Sequence, residues 1–385
     1  MMFQLNDEQQ AARDLAREFT EGEIVPVAAK HDEEHRFPHE VLAKARDIGM
    51  MHLPVPEEYG GGGTGILEWV IAIEQFAWGC AGIATSIGIN SLTADPILVA
   101  GSEAQKREWI GRMVNGEYGA YALTEPSAGS DVSSIQTRAR ADGDDYLLTG
   151  SKIWISNAPA ASFFVVFAKT DPDAGRHGIS TFVVERDSAG VTVGNPLPKL
   201  GQRASHASEI AFDNVRVPEE NRLGEEGSGF LTAMKVFDRS RPMIAAIASG
   251  IIQRCLDESL GWAMQRQTMG QPIIQHQAVS HKIADMGMRG EAARLLVYQS
   301  AAIIDGGQRN TLQASYAKAF ASDTAMWAAT EAVQIFGGSG YSEEFPVAKL
   351  FRDAKLMQIY EGTSEIQRNI IARELTRARE RQRPT

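Results

Sequence analysis

The residue pattern changes twice along the chain, and these changes constrain the fold more than any single motif. From Asn6 to about Gly116, apolar residues recur at helical spacing. From about Tyr118 to Val217, short runs rich in β-branched and aromatic residues indicate strands. After the glycine-rich stretch 224–229, helical spacing returns and continues nearly to the end. This order predicts an α+β multidomain protein with an N-terminal helical domain at 1–117, a middle β domain at 118–225 and a C-terminal helical domain at 226–385.

Local signals indicate where helices and turns lie. Asn6 and Gln9 form a helix-capping pair, and Ser102 can cap another helix. Asp142 and Gly143 predict a hairpin turn. Pro38 opens a segment that places four apolar residues on one helix face, namely Val41, Leu42, Ala45 and Ile48. Long helical patterns, separated by paired glycines, cover 230–264, 274–305, 311–336 and 364–377.

Composition excludes several classes of function. A chain of 385 residues with 43% hydrophobic residues is globular, and a net charge of −11 argues against nucleic-acid binding. Cys80 and Cys255 are the two cysteines, so neither a disulfide framework nor a thiolate metal site is indicated. Residues 1–8 lack the features of a secretion signal, and the longest candidate membrane run, 243–252, covers about half a span. We therefore expect a soluble cytoplasmic protein without membrane insertion.

The segment 358–368 contains the strongest candidate for a catalytic acid or base. Ser364 and Gln367 fit a capping box, so a helix is predicted to begin there with Glu361 beside its free N–H groups. Gly362 allows another molecule to approach the backbone closely. A base that removes a proton next to a carbonyl needs a fixed carboxylate and nearby N–H donors. The alternative is that Glu361 only interacts favourably with the helix dipole.

Two segments of the β region can contact a flat heterocycle. Residues 121–131 offer hydroxyl and N–H groups on a loop that contains Pro126 and Gly129. Residues 152–157 are predicted to place Trp154 and Ser156 on the same face of a strand. A surface loop and a core tryptophan are the alternatives.

Other familiar chemistries are not supported. The glycine run 60–65 lacks the preceding strand and the final Gly-Lys of a phosphate loop, so a flexible loop is predicted. His31, His35 and His39 have a spacing that metal ligands use, but Pro38 interrupts the helix and no metal is expected.

Four motifs, at 121–131, 154–157, 334–338 and 359–363, occur in the order and approximate spacing of the acyl-CoA dehydrogenase family, most similar to its medium- and short-chain types. The chain resembles this family over nearly its whole length. The resemblance implies a middle β-barrel or sandwich domain, a C-terminal four-helix bundle, FAD, an acyl-CoA substrate of fatty acid β-oxidation, a homotetramer, and an electron-transferring flavoprotein as electron acceptor.

The resemblance also assigns residues to the cofactor. Around the isoalloxazine it places Tyr121, Leu123, Thr124, Trp154 and Ser156, and Ser130 is also assigned to the cofactor. Thr363 and Glu365 are expected at the FAD diphosphate and adenosine side. The adenine half is expected to meet a segment from another subunit that comprises Arg266, Thr268, Met269, His276, Gln277, Gln334, Gly337 and Gly338. The family commonly has Phe at the position of Met269.

For the substrate, the resemblance assigns Ser130, Asp238, Arg241 and Gly362 to the CoA arm and thioester, although residues 238–242 alone fit a surface charge cluster. Branched- and long-chain members place their base at what corresponds to Ser240, so Glu361 is the matched base. The resemblance implies that Glu361 removes an α-proton while the β-carbon gives a hydride to flavin N5, leaving a trans-2-enoyl-CoA.

Three questions stay open in the sequence. A flavin oxidase or monooxygenase of the same fold is one alternative, and a non-catalytic acyl-CoA-binding protein is another. The third is the acyl chain: residues 85–92 resemble the acyl-pocket segment, and Gly88 replaces a larger polar residue, so a deeper pocket is one expectation unless other residues fill that space.

Overall fold

The structure is a computed structural model that describes residues 4–381. Its N-terminal part is helical. The Asn6–Gln9 capping box is present at α1, as predicted. The helices are α1 Asp7–Phe19, α2 Val25–Glu33, α3 His39–Asp47, α4 Ile66–Gly79, α5 Ala81–Ala100, α6 Glu103–Gln105 and α7 Gly111–Val114.

The middle part is a sheet with both faces covered. The strands are β1 Gly119–Ala122, β2 Arg138–Asp142, β3 Asp145–Ser156, β4 Phe163–Lys169, β5 Ile179–Glu185, β6 Val191–Val193, β7 Ala207–Pro218 and β8 Arg222–Leu223. Their order is β6-β7-β3-β2-β4-β5-β8, and β1 pairs in parallel with β4. Side chains of β5 and β7 share one apolar cluster although these strands are not neighbours in the sheet, so the sheet curls over its own core. This agrees with the expected barrel or sandwich.

The C-terminal part is again helical. The 37-residue helix α8, Gly229–Gln265, packs against the ones that follow. The remaining elements are β9 Gln267–Thr268, β10 Gln271–Pro272, α9 Gln277–Asp305, α10 Thr311–Phe336, α11 Pro346–Met357 and α12 Ser364–Arg381. The order helical, β, helical is confirmed. One apolar cluster, however, contains buried residues of α4, α5, α8 and α10 together, so the two helical parts share a core.

One helix of the described chain is long and apolar enough to cross a membrane by length and composition. This is α5, with a mean hydropathy of 1.3, and 78% of that window is buried inside the protein. The expectation that 243–252 is the longest such run is therefore wrong. Helix α5 has few charges but contains hydroxyl residues, Asn90 and Pro96, which mask its length in the sequence.

Smaller expectations also need correction. Ile48 is 46% exposed instead of lying on the buried face of α3. The hairpin loop between β2 and β3 is Gly143–Asp144, because Asp142 still pairs with Asp145. The glycine loop 60–65 is held by backbone hydrogen bonds to residues 52–57. The predictions made for residues 1–3 and 382–385 lie outside the described part of the chain.

Candidate active site

The Glu361 turn joins α11 to α12 and has an unusual backbone. Glu361 and Gly362 have φ values of 56° and 86°, both in the left-handed region. The Thr363 hydroxyl accepts the Ile366 N–H at 3.2 Å, which makes Thr363 the residue that caps α12. The predicted Ser364–Gln367 capping box is therefore wrong by one residue. The Ser364 hydroxyl instead donates to Asp323 at 3.0 Å.

The Glu361 carboxyl group lies against α8. Its Oε2 accepts a hydrogen bond of 2.7 Å from the Ser240 hydroxyl. Burial raises the pKa of Glu361, while the hydrogen bond from Ser240 and the cations of Arg241 and Lys318 oppose that rise. Ser240 thus contacts the carboxylate directly and stabilises its ionised form.

The turn is held in place from α10 and α12. Lys318 Nζ donates to the Gly362 carbonyl at 2.7 Å, and Gln367 Nε2 donates to the carbonyls of Glu361 at 3.2 Å and Gly362 at 3.0 Å. One further turn along α10, Asp323 binds side chains from both ends of the segment, namely Gln358, Ser364 and Arg368. The sequence pattern singled out Gln367 as a capping residue but did not identify Lys318 or Asp323. The available signal for Lys318 was a lysine among the small residues of α10.

The segment 238–242 is not a surface charge cluster. Arg241 is 4% exposed, and its Nη1 lies 3.3 Å from Asp238 Oδ1. Asp238 also accepts a hydrogen bond from the Thr311 hydroxyl. Burial raises the pKa of Asp238. Arg241 Nε has no partner among the described residues and is available to a ligand.

Helix α5 packs directly against α8. Thr85 on α5 donates to Gln202 at 2.8 Å, and the Tyr360 hydroxyl, next to Glu361 in the chain, donates to Met357 Sδ at 3.4 Å. One turn further along α5, a Cβ added to Gly88 would lie 2.7 Å from the sulfur of Met243. The space that Gly88 leaves is therefore filled by Met243, so Gly88 itself does not deepen a pocket.

Residues assigned to the isoalloxazine come together where the loop 121–131 meets β3. The Ile153 N–H donates to the Thr124 carbonyl at 2.9 Å. Beneath this contact, the buried pair of Lys152 Nζ and Glu125 Oε1 is separated by 2.7 Å, and Lys152 also donates to the Leu123 carbonyl. This pair, which the sequence analysis did not identify, joins the loop to the strand.

Trp154 does not follow the simple strand alternation. It has φ 62° at an irregularity in the β3–β7 pairing, and it is 56% exposed. The core alternative for Trp154 is therefore wrong. Thr124 and Ser156 are half-buried nearby on the two joined segments, while Ser130 is exposed on the loop. An exposed indole beside partly exposed hydroxyl groups fits a flat heterocycle with a polar edge.

Tyr121 lies deeper, packed against Phe167 and Phe237. Its hydroxyl is buried without a partner among the described residues, and burial raises its pKa well above the usual value. An unsatisfied donor at this position is available to a bound molecule.

The residues assigned to the adenine half lie elsewhere. Met269, at the tip of the β9–β10 hairpin, is 91% exposed. Arg266, Thr268 and Gln277 are also exposed, as are Gln334, Gly337 and Gly338 at the end of α10, while His276 is half-buried. Within residues 4–381 no hydrogen bond joins any of them to the Glu361 turn. Such exposure is compatible with their predicted contact to another subunit.

Glu365 lies exposed in the first turn of α12. Its own backbone N–H and the Thr363 hydroxyl lower the pKa of its carboxyl group. Because Glu365 is ionised, a contact with a diphosphate would bring two negative charges together. The helix start therefore favours Thr363 and free N–H groups for the diphosphate.

The three-part fold, with an aromatic and hydroxyl surface on the sheet and a half-buried glutamate beside α8, defines a flavin-dependent oxidoreductase. Family models for the N-terminal, middle and C-terminal domains of acyl-CoA dehydrogenases match residues 6–117, 120–215 and 227–376. The chain belongs to the acyl-CoA dehydrogenase family, whose members depend on FAD and whose fold binds acyl-CoA.

Individual relatives agree with this result. The acyl-CoA dehydrogenase of Bacillus subtilis is 44% identical over 373 residues, which cover 96% of this chain and 98% of that protein. The structure of butyryl-CoA dehydrogenase from Megasphaera elsdenii is 42% identical with a TM-score of 0.95, covering 98% of this chain and 100% of the other. The prolyl acyl carrier protein oxidase AnaB is 32% identical with a TM-score of 0.94, covering 97% and 100%.

Proposed function

We propose that the protein catalyses α,β-dehydrogenation of an acyl-CoA thioester to the trans-2-enoyl-CoA, with Glu361 as the base that removes the α-proton. The observation that carries this proposal is the Glu361 carboxyl group, which belongs to a half-buried residue, accepts a hydrogen bond from Ser240, and has its pKa raised by desolvation. A raised pKa makes a carboxylate a stronger base. The Ser240 hydroxyl cannot itself act as a base without an activating group.

The backbone beside Glu361 can stabilise the charge that develops on the thioester oxygen. Among residues 4–381, no group accepts the Glu361 N–H, so this donor is available to a substrate carbonyl. The buried Arg241 and the half-buried Asp238 on α8 would bind the CoA arm, with Gly362 at the thioester. Ser130 belongs to the same proposed substrate set. Exclusion of water by a bound substrate would strengthen each of these interactions.

The cofactor contacts extend the proposal. Tyr121, Leu123, Thr124, Trp154 and Ser156 would hold the isoalloxazine, with Ser130 at the edge of the loop. Thr363 would hold the diphosphate, Glu365 would face the adenosine side, and the exposed adenine-half set would belong to a neighbouring subunit. When bound there, FAD supplies the hydride acceptor. The proposal also includes a homotetramer, an electron-transferring flavoprotein as electron acceptor, a role in fatty acid β-oxidation and a cytoplasmic location. The proposed domain limits are 1–117, 118–225 and 226–385.

The test is Glu361→Gln, assayed anaerobically by loss of flavin absorbance with butyryl-, octanoyl- and dodecanoyl-CoA. We expect normal FAD content and acyl-CoA binding, with flavin reduction slowed at least ~1,000-fold because the base is absent. Glu344→Gln, which neutralises an exposed carboxylate before α11, is the matched control and should reduce normally. Near-normal reduction by Glu361→Gln would show that another group is the base.

A flavin oxidase is the second candidate, since AnaB shares the fold. Reoxidation of the reduced protein in air separates the two functions. A dehydrogenase retains reduced flavin until an electron acceptor is added, whereas an oxidase reoxidises within the mixing time.

A further inference from the structure

Lys318, near the middle of α10, is an unusual lysine. It is 0% exposed, yet its ammonium group donates to a carbonyl, that of Gly362, and forms no salt bridge within residues 4–381. Burying a charge without a carboxylate partner is costly, and such exceptions concentrate where function requires them. The surrounding stripe of α10 is made of small residues, such as Ala314, Ser315, Ala321 and Ser322.

The carbonyl that Lys318 binds belongs to a strained turn. Glu361 is a non-glycine residue with φ 56°, a conformation that persists only when neighbouring contacts hold it. The contacts here are the hydrogen bonds of Lys318 and Gln367 to the Gly362 carbonyl and of Gln367 to the Glu361 carbonyl. Both side chains are 0% exposed, so these two donors are shielded from water.

Lys318 also contributes charge to the environment of the Glu361 carboxyl group. The groups that face that carboxyl are the Ser240 hydroxyl, Arg241, Lys318 and, with opposite sign, Asp95 on α5. Lys318 is itself faced by Glu361, Arg241, Asp323 and Glu365, and burial lowers its pKa to about 8. At neutral pH the lysine is therefore mostly protonated, and its charge favours the ionised form of Glu361.

We propose that Lys318 is a positioning residue for the base: its ammonium group fixes the Glu361–Gly362 turn through the Gly362 carbonyl, and its charge keeps Glu361 ionised. The inference rests on the proposed function in that Glu361 must be the base. The effect of Lys318 passes through the Glu361–Gly362 turn, whose Gly362 carbonyl it binds.

The first test compares Lys318→Met with the wild-type protein and with Lys235→Met, which removes an exposed lysine of α8. Flavin reduction by butyryl-CoA is followed from pH 5.5 to 9.5, together with FAD content and Tm. For Lys318→Met we expect retained FAD, a limiting rate at least ~10-fold lower, little change in half-saturation, and an acid limb shifted upward by about one pH unit. Lys235→Met should match the wild type. An unchanged rate and acid limb in Lys318→Met would overturn the proposal.

The second test does not depend on the folding of Lys318→Met. Lys318→Arg keeps both the charge and the donor, so its acid limb should match that of the wild type, whereas Lys318→Gln keeps a donor without the charge, so its acid limb should shift upward. An acid limb that is the same in these two variants contradicts the role of Lys318. A wild-type protein that no acyl-CoA reduces would instead refute the proposed function.

Discussion

At the scale of single residues, Glu361 combines two features that do not favour folding. The left-handed backbone of a non-glycine residue costs roughly 1–2 kcal/mol. Burial of the carboxyl group adds a further cost, visible as its raised pKa. Lys318 and Gln367 offset part of this cost through the two carbonyls that follow. The turn is therefore shaped by its neighbours and not by its own preference.

This cost predicts how stability depends on pH. A raised folded-state pKa means that the native protein binds more protons than the unfolded chain between the unfolded pKa, about 4.3, and the folded value. The free energy of unfolding contributed by Glu361 is thus full below the unfolded pKa and is lost as the pH rises through the folded pKa. The side chain in Glu361→Gln is neutral at every pH, so this variant should not lose stability as the pH rises through that range.

We therefore expect Glu361→Gln to be more stable than the wild type at pH 8 and to approach it at pH 5, with about 1.4 kcal/mol of difference for each unit by which the folded pKa is raised. Urea unfolding at several pH values measures this difference. The exposed control Glu344→Gln should show no such trend. A variant that is less stable than the wild type at pH 8 would argue against the burial cost.

Residues that share a motif could be recognised in the sequence, whereas residues that meet only through the fold could not. Glu361 and Ser240 were both singled out, but their hydrogen bond depends on how α8 packs beside the turn. Lys318 gave no local signal beyond its place among the small residues of α10. Trp154 was placed correctly in β3, but its exposure depends on a bulge that periodicity does not reveal.

At the scale of elements, α5 and α8 pack together beside the Glu361 turn. Helix α8 contacts the Glu361 carboxyl group through Ser240, and Thr85 and Gln202 act on the pKa of the neighbouring Tyr360. Gly88 and Met243 lie one turn beyond Thr85 and Ser240 and pack together. The sequence showed the absent side chain at Gly88, but only the structure shows which residue occupies that space. An acyl chain that extends past Glu361 between these helices would meet Met243.

Met243→Ala should therefore extend the range of acyl chains. We expect the ratio of flavin reduction rates with octanoyl- and butyryl-CoA to rise at least ~10-fold, because the cavity accepts the longer chain, with a stability loss of about 2–4 kcal/mol. Met286→Ala, in the core on α9, should cost similar stability without changing this ratio. An unchanged ratio in Met243→Ala would place the end of the acyl chain elsewhere.

The loop 121–131 and β3 form the other functional surface, and the Glu125–Lys152 pair joins them. Burial lowers the pKa of Lys152 to about 8, and the lysine lowers that of Glu125 against the effect of burial. Lys152→Met leaves a buried carboxylate without its cation, which we expect to cost about 3–5 kcal/mol and to reduce FAD retention. Thermal unfolding and the ratio of flavin to protein absorbance measure both effects.

The double variant Glu125→Gln with Lys152→Met serves as the control for this pair. It removes the uncompensated charge, so it should recover at least half of the lost stability. Recovery of stability without recovery of FAD would show that the pair also orients the loop. If Lys152→Met alone matches the wild type in both measurements, the pair does not support the flavin surface.

At the scale of the whole molecule, the N- and C-terminal helices form one structure although a sheet separates them in the sequence. Asp305, the last residue of α9, accepts the N–H groups of Ile66 and Leu67 at 2.7 and 2.9 Å and so caps α4. Helices α4 and α8 also approach closely at Gly250. The order of the three parts could be predicted from residue pattern, but contacts between residues so far apart in the chain could not.

Two identical substitutions in α8 test this shared core. A Cβ at position 250 would lie 2.4 Å from the Glu74 carbonyl oxygen on α4, whereas one at position 261 would meet nothing within 4 Å. Gly250→Ala should therefore lower the free energy of unfolding by about 1–3 kcal/mol, and Gly261→Ala should raise it by about 0.5–1 kcal/mol through helix propensity.

Urea unfolding is followed by far-ultraviolet circular dichroism and by flavin release. Because α4 and α8 share one core, both signals should shift together in Gly250→Ala. Separate shifts, or a neutral Gly250→Ala, would mean that the two helical parts are stabilised independently.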